Sequence, residues 1–159
     1  MTIRSESRIT ISRTVPDVWA YLCDVGRWPE WAPTVRECWI RDGAPLQPGA
    51  WVEQRAKGPF GSSRRRAQTV TTVAAPDRLA FAGPLGLSTA RWGMELEPLD
   101  HERTAAMMWV EVDLESLMRA IPGRLFNARI RRVMDIEMAA IKAATESGRP
   151  AAVPAYATT

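Results

Sequence analysis

A single long amphipathic stretch near the C-terminus constrains this chain more than any other feature. Arg124 to Glu146 follows Pro122-Gly123 and stops before Gly148 and Pro150, the punctuation of a helix. Phe126, Ile130, Met134, Met138, Ile141 and Ala144 recur every three or four residues, with Val133 on the same side. Arg129, Arg131, Arg132, Asp135, Lys142 and Glu146 lie off that stripe. At ~1.5 Å per residue the helix is roughly 34 Å long, enough to cross a small domain. A stripe this broad has to be buried against another layer.

The preceding sequence supplies that layer as strands. In Ser7 to Ser12, Ile9 and Ile11 share one face and Arg8 and Thr10 the other, a strand pattern. Thr14 then offers an N-cap, and Pro16 sits in the first turn of a short helix whose buried side is Val18, Trp19 and Leu22. A second helical turn covers Arg27 to Trp31 before Pro33 redirects the chain. Strands follow at Val35 to Ile40, Trp51 to Ala56, Arg65 to Val73, Arg78 to Ala82, Ser88 to Glu97 and Thr104 to Asp113. Asp42-Gly43, Gly58-Pro59-Phe60-Gly61, Pro76-Asp77 and Gly83-Pro84-Leu85-Gly86 separate them. Leu114 to Gly123 reads as a connector. Successive hairpins imply an antiparallel sheet. One sheet with an apolar face plus one long helix makes an α+β layer arrangement.

The chain has 159 residues, 46% of them hydrophobic and 25% charged, which fits one globular domain. The expected domain is 1–147, with a loose tail over 148–159 rich in Ala, Pro and Thr. Cys23 and Cys38 are the only cysteines and lack metal-ligand spacing; with no apolar N-terminal run, a cytoplasmic location is expected. No apolar run reaches membrane-span length. A net charge of +3 does not imply nucleic acid, and Arg64-Arg65-Arg66 reads as a solvated hairpin end.

Several residues in order resemble a known family. Val15-Pro16-Asp17-Val18-Trp19, then Asp24 and Trp28-Pro29-Glu30-Trp31-Ala32-Pro33-Thr34-Val35, resemble the opening of polyketide cyclase/dehydrase-like proteins. These belong to the SRPBCC superfamily, also called START-like or Bet v 1-like. Gly49, Pro76-Asp77-Arg78-Leu79, Leu96-Glu97-Pro98, Arg103-Thr104, Glu137, Ile141-Lys142 and Glu146 continue the pattern over roughly residues 3 to 147. The resemblance implies a helix-grip fold: a curved antiparallel sheet of six to seven strands wraps a long C-terminal helix, with two short helices after the first strand. It also implies a cavity for a hydrophobic ligand between sheet and helix. Members include cyclases and non-catalytic carriers, so fold alone does not choose between these roles.

Within that frame, Glu137 is the most informative polar residue. At ~100° per residue it falls inside the apolar stripe, between Ile130, Met134 and Ile141. A carboxylate facing an apolar cavity has a raised pKa and serves as a general acid or base. It would do neither if it leaned to the helix edge or paired with Arg66. Gln54, Arg66 and Gln68 face inward if Val52 and Val70 do; a one-residue shift in register turns all three to solvent. Arg66 or Gln68 would polarise a ligand carbonyl. Trp31, Phe81, Trp92, Met94, Met108, Val110, Phe126, Ile130 and Met134 are the expected cavity lining, or its filling. Asn127, at the edge of the stripe and one turn from the helix start, would hydrogen-bond a ligand carbonyl, or else cap the helix or stay in solvent. Trp51 and Trp109 fall on the outer face, where an exposed patch would make a dimer contact; monomer and homodimer both stay open.

His101, the only histidine, lies in a predicted hairpin tip, so neither a His-based nucleophile nor a His-based metal site can be built in the cavity. The expected function is binding of a small hydrophobic or aromatic molecule. The preferred form is a cyclase/dehydratase-like enzyme without metal or cofactor, using Glu137 with Arg66 and Gln68. The alternative is a non-catalytic carrier of a quinone or lipid. Nucleic acid is not an expected partner.

Overall fold

A computed structural model describes residues 2–85, 88–113 and 123–148. Seven strands form one sheet: β1 (Thr2–Ile11), β2 (Val35–Ile40), β3 (Trp51–Lys57), β4 (Ser63–Ala74), β5 (Arg78–Leu85), β6 (Ser88–Pro98) and β7 (Thr104–Asp113). Every pair is antiparallel, in the order β1-β7-β6-β5-β4-β3-β2. Each hairpin places consecutive strands side by side, and β7 returns to close on β1. Register shifts between Val35 and Glu37 and between Val70 and Thr72 are bulges, which bend an antiparallel sheet.

Helix α1 (Val15–Cys23) and a 3₁₀ helix (Val25–Glu30) follow β1. The Thr14 hydroxyl caps α1 by accepting from the Asp17 amide, and Pro16 sits in the first turn, where its missing N–H costs nothing. Tyr21, 2% exposed, donates its hydroxyl to Glu30 at 3.2 Å and so ties α1 to the 3₁₀ helix. The long helix α2 (Gly123–Glu146) lies against the inner face of the sheet and against β1. Met134, Met138 and Ile141 are buried in the shared core, as the apolar spacing predicts. The Arg13 guanidinium caps the end of α2, donating to the carbonyls of Thr145 (3.1 Å) and Glu146 (3.0 Å). Gly148, at φ +74°, then turns the chain in the left-handed conformation common after helices. The arrangement is the helix-grip fold. The expected connector over 114–122 and the tail from 149 onward lie outside the described residues.

Two details differ from the sequence expectation. Gly83 and Pro84 do not break the chain: β5 runs through them to Leu85, with Pro84 opposite Thr89 of β6. Its ladder with β4 ends at Ala82, so no β4 partner awaits the N–H that proline lacks. Trp109 and Trp51 do not form one exposed patch. The Trp109 ring packs on Gly93 under the Arg4 guanidinium, while Trp51, 43% exposed, lies under Arg41. Between Arg41 and Arg65 the Glu53 carboxylate is covered on the outer face and held below the usual carboxylate range, with Arg65 its stronger partner. The Arg64-Arg65-Arg66 triplet is therefore split: Arg65 turns outward to Glu53 and Trp39, and Arg66 turns toward the inner face.

Gly93 gives a direct test of this packing. A Cβ there would meet the Leu79 carbonyl oxygen at 2.7 Å and the Trp109 ring at 2.8 Å. The carbonyl belongs to the β5–β6 ladder and cannot swing away freely. Gly93→Ala is expected to cost about 1–3 kcal/mol, read as a lower urea midpoint at unchanged slope.

Candidate functional site

The inner face of the sheet, the short helices and α2 leave a cavity of about 210 Å3. Its floor comes from strand parity. Gln54 on β3 pairs with Arg66 on β4, Val52 pairs with Gln68, and all four side chains share the inner face with Val70. Trp92, Met108 and Val110 continue that face across β6 and β7. Trp28 and Trp31 close the cavity from the 3₁₀ segment, and Glu137 reaches it from α2. Arg66 is exposed as well as bordering the cavity, so it stands at the rim.

A second opening, an apolar groove of about 320 Å3, is lined by Val110, Phe126, Arg129, Ile130, Val133, Met134 and Glu137. Val110 and Glu137 border both spaces. The helix therefore puts its first half on the groove and Met138 and Ile141 in the core, with Glu137 at the changeover.

Glu137 has an unusual environment. Among the described residues no hydrogen bond or ion pair reaches its carboxyl; Arg66 is not its partner. Burial alone pushes the carboxyl up to about 7, because charge in an apolar surround loses hydration that no cation replaces. It therefore titrates near neutrality. The Cys38 thiol, pushed by burial up to about 12 and hydrogen-bonded to Gln54, stays protonated and is a poor nucleophile.

Aromatic contacts fix the wall. Trp28 lies 5.6 Å from Trp31 and 5.4 Å from Trp92 between ring centroids, and Phe81 stacks on Trp92 at 4.4 Å. Trp92 Nε1 donates to Gln68 Oε1 at 2.8 Å.

The structure divides the residues singled out from sequence. Glu137, Arg66, Gln68, Gln54, Trp31, Trp92, Met108 and Val110 meet at the cavity, and Phe126, Ile130 and Met134 line the groove. Phe81 and Met94 border neither space; they are fully buried in the core, where Phe81 supports Trp92 from behind. Asn127 is turned away from both and accepts a hydrogen bond from the buried Ser5 hydroxyl of β1. Asp135 takes the Ser7 hydroxyl in the same way, so these two residues stitch α2 to β1. His101 is exposed in the β6–β7 connection. Thr34, Gly83, Pro84 and Ala90 also border the cavity and were not singled out. Leu79, Phe81 and Gly83 alternate on one face, and extending that alternation past Ala82 would have found Gly83.

Solved structures with the same fold are numerous. A START superfamily protein from Mycobacterium smegmatis superposes with a TM-score of 0.72 at 15% identity, over 91% of this chain and 97% of its own. A conserved protein from Geobacillus kaustophilus gives 0.73 at 14% identity, over 91% and 96%. Ara h 8.0201 gives 0.71 at 12% identity, over 93% and 100%. Identities this low speak for the fold alone. Among curated proteins none matches the sequence. Among the described residues no helix is long and apolar enough to cross a membrane. Residues 2–146 match the family described as polyketide cyclase / dehydrase and lipid transport, nearly the whole chain, and the protein belongs to that family.

Proposed function

We propose that the chain is a cyclase or dehydratase acting on a small aromatic or apolar ketone, with Glu137 moving the proton. The observation that carries this reading is the Glu137 carboxyl, which borders cavity and groove, has no neutralising partner among the described residues, and titrates at about 7. Such a group supplies both protonation states at working pH, as general acid–base chemistry requires.

In the proposed step the Glu137 carboxylate removes a proton from the carbon beside a ligand carbonyl. The electron pair moves onto the carbonyl oxygen, and Gln68 or Arg66 donates to the enolate formed. The enolate carbon attacks a second carbonyl of the same ligand and forms the ring bond. Glu137 returns its proton to the new alkoxide. Dehydration repeats the logic: the carboxylate takes the remaining proton beside the carbonyl, and the β-hydroxyl leaves as water with that proton. No oxidant or reductant is consumed.

The test uses α-tetralone, a bicyclic ketone, in D2O. The protein is expected to accelerate exchange of the protons beside the carbonyl, followed by NMR, and Glu137→Gln to slow it by ~10²–10⁴-fold. Equal rates for the two proteins would remove Glu137 from the mechanism.

A second reading is a non-catalytic carrier of a lipophilic molecule such as a quinone or lipid. The apolar groove beside the cavity favours it: Val110, Phe126, Ile130, Val133 and Met134 offer hydrocarbon contact over a length a compact ring does not need. Native mass spectrometry separates the readings. An intact lipophilic molecule held equally by wild type and Glu137→Gln, with no exchange activity, supports the carrier.

A further inference from the structure

Two buried N–H groups at the cavity find no acceptor among the described residues: Trp31 Nε1 and Gln68 Nε2. Both residues border the cavity that Glu137 enters. Ser88 Oγ and Trp109 Nε1 also lack a partner, but neither residue borders it. Buried donors are nearly always satisfied, so two bordering one cavity, Gln68 from its floor and Trp31 from the segment that closes it, ask for an acceptor from the ligand.

Their orientation is fixed. An indole nitrogen only donates, so the atom of Gln68 facing Trp92 Nε1 at 2.8 Å has to be Oε1. That assigns Nε2 to the unpaired side. Trp92 is itself clamped by Phe81, stacked at 4.4 Å and 21°. Gly83 gives Gln68 its room: a Cβ there would stand 2.9 Å from Gln68 Cβ. Trp31, 4% exposed, is held against Trp28.

We infer that Trp31 and Gln68 form a donor pair for a bare acceptor oxygen at the buried end of the ligand, with Trp92 positioning Gln68. The ligand class is a ring ketone, whose oxygen accepts from both groups and binds them more strongly as it gains enolate charge. This rests on the reading of the cavity as the ligand site. A hydrocarbon of the same shape leaves both donors unpaired and is rejected for that reason. Roughly 150 Å3 of apolar cavity accepts a benzene ring, so 210 Å3 receives a ring bearing a carbonyl, and a longer ligand continues past Glu137 into the groove.

The experiment compares α-tetralone with tetralin, the same skeleton without the oxygen, by isothermal titration calorimetry. At about tenfold per hydrogen bond, the ketone is expected to bind roughly 30- to 100-fold tighter. Gln68→Leu and Trp31→Phe should each cost the ketone roughly tenfold and change tetralin by less than about threefold. Gln68 is only partly buried, so its variant keeps the test alive if Trp31→Phe fails to fold. The infrared carbonyl stretch of bound α-tetralone should lie below its value in hydrocarbon solvent. It should rise again in Gln68→Leu and, through loss of positioning, in Trp92→Phe.

Binding of ketone and hydrocarbon within about threefold of each other overturns the inference, as do variants that weaken both equally. A stretch that none of the variants moves overturns it too, because the donors are then served by water. Failure of both ligands to bind removes the donor pair and the ligand site together. A ketone that binds with a lowered stretch but without faster proton exchange upholds the donor pair and removes the catalytic reading.

Discussion

Glu137→Gln is expected to stabilise the protein above neutral pH while slowing proton transfer by ~10²–10⁴-fold. The carboxyl titrates at about 7 in the folded chain against an ordinary value of 4.5. The folded state therefore holds this proton more tightly than the unfolded state does. Between those two values the folded chain carries a proton that the unfolded chain has lost, so stability falls as pH rises, and the loss is complete above the folded value. The full shift, from 4.5 to about 7, corresponds to a penalty of about 3 kcal/mol above neutral pH. Glutamine keeps the shape and never ionises. Thermal melts near pH 4 should give a similar Tm for the two proteins, whereas near pH 8 the variant should be the more stable by that amount, about 6–12 °C in Tm. A stability gain paired with slowed exchange is the signature of a residue kept for chemistry at a cost to the fold. A difference that does not change with pH would mean that the carboxyl ionises normally, and the acid–base reading would lose its basis.

What the sequence made legible follows from how far each signal reaches. The helical period of α2 extends over more than twenty residues, so a local error cannot disturb it. It therefore located both the element and Glu137 inside its apolar stripe. Strand parity is equally strict once one residue is anchored: Val52 and Val70 inward carry Gln54, Arg66 and Gln68 with them. The failures occur where a third dimension decides. Phe81 and Trp92 share a face, yet only Trp92 borders the cavity, because one ring stacks behind the other. Asn127 sits at the stripe's edge, and only the position of β1 shows that Ser5 claims it. Gly83-Pro84 carries the composition of a turn but lies where the β4–β5 ladder has ended, at Ala82, so the usual objection to proline in a strand does not apply. The donor pair was invisible for the same reason. Trp31 and Gln68 stand 37 positions apart in the chain, and no periodicity links a 3₁₀ segment to a central strand.

Trp28→Ala should be the most damaging single substitution among the aromatic residues. Trp28 is 1% exposed and touches three other rings: Trp31, Phe81 and Trp92, the last two edge-on at 5.1 and 5.4 Å. Its Nε1 donates to the Leu22 carbonyl at 2.9 Å, tying the 3₁₀ helix to α1. Removing the side chain empties a ring-sized volume, leaves the Leu22 carbonyl without that donor, and frees both Trp31 and Trp92. Aromatic-to-alanine changes in cores cost about 3–5 kcal/mol, and the lost hydrogen bond places this one at the upper end. Against a typical stability of about 5–15 kcal/mol, that brings a domain of this size close to unfolding at physiological temperature. Trp28→Phe separates the two contributions: it keeps most of the ring contact, loses the hydrogen bond, and should cost about 1–3 kcal/mol. Trp51→Ala is the control, since that ring is 43% exposed and should cost about 1 kcal/mol or less. Urea midpoints of the three variants test the ranking. If Trp28→Ala cost no more than Trp51→Ala, the aromatic cluster would not hold the short helices to the sheet. The wall that fixes Trp31 and, through Trp92, the amide of Gln68 would then be too loose to orient either donor.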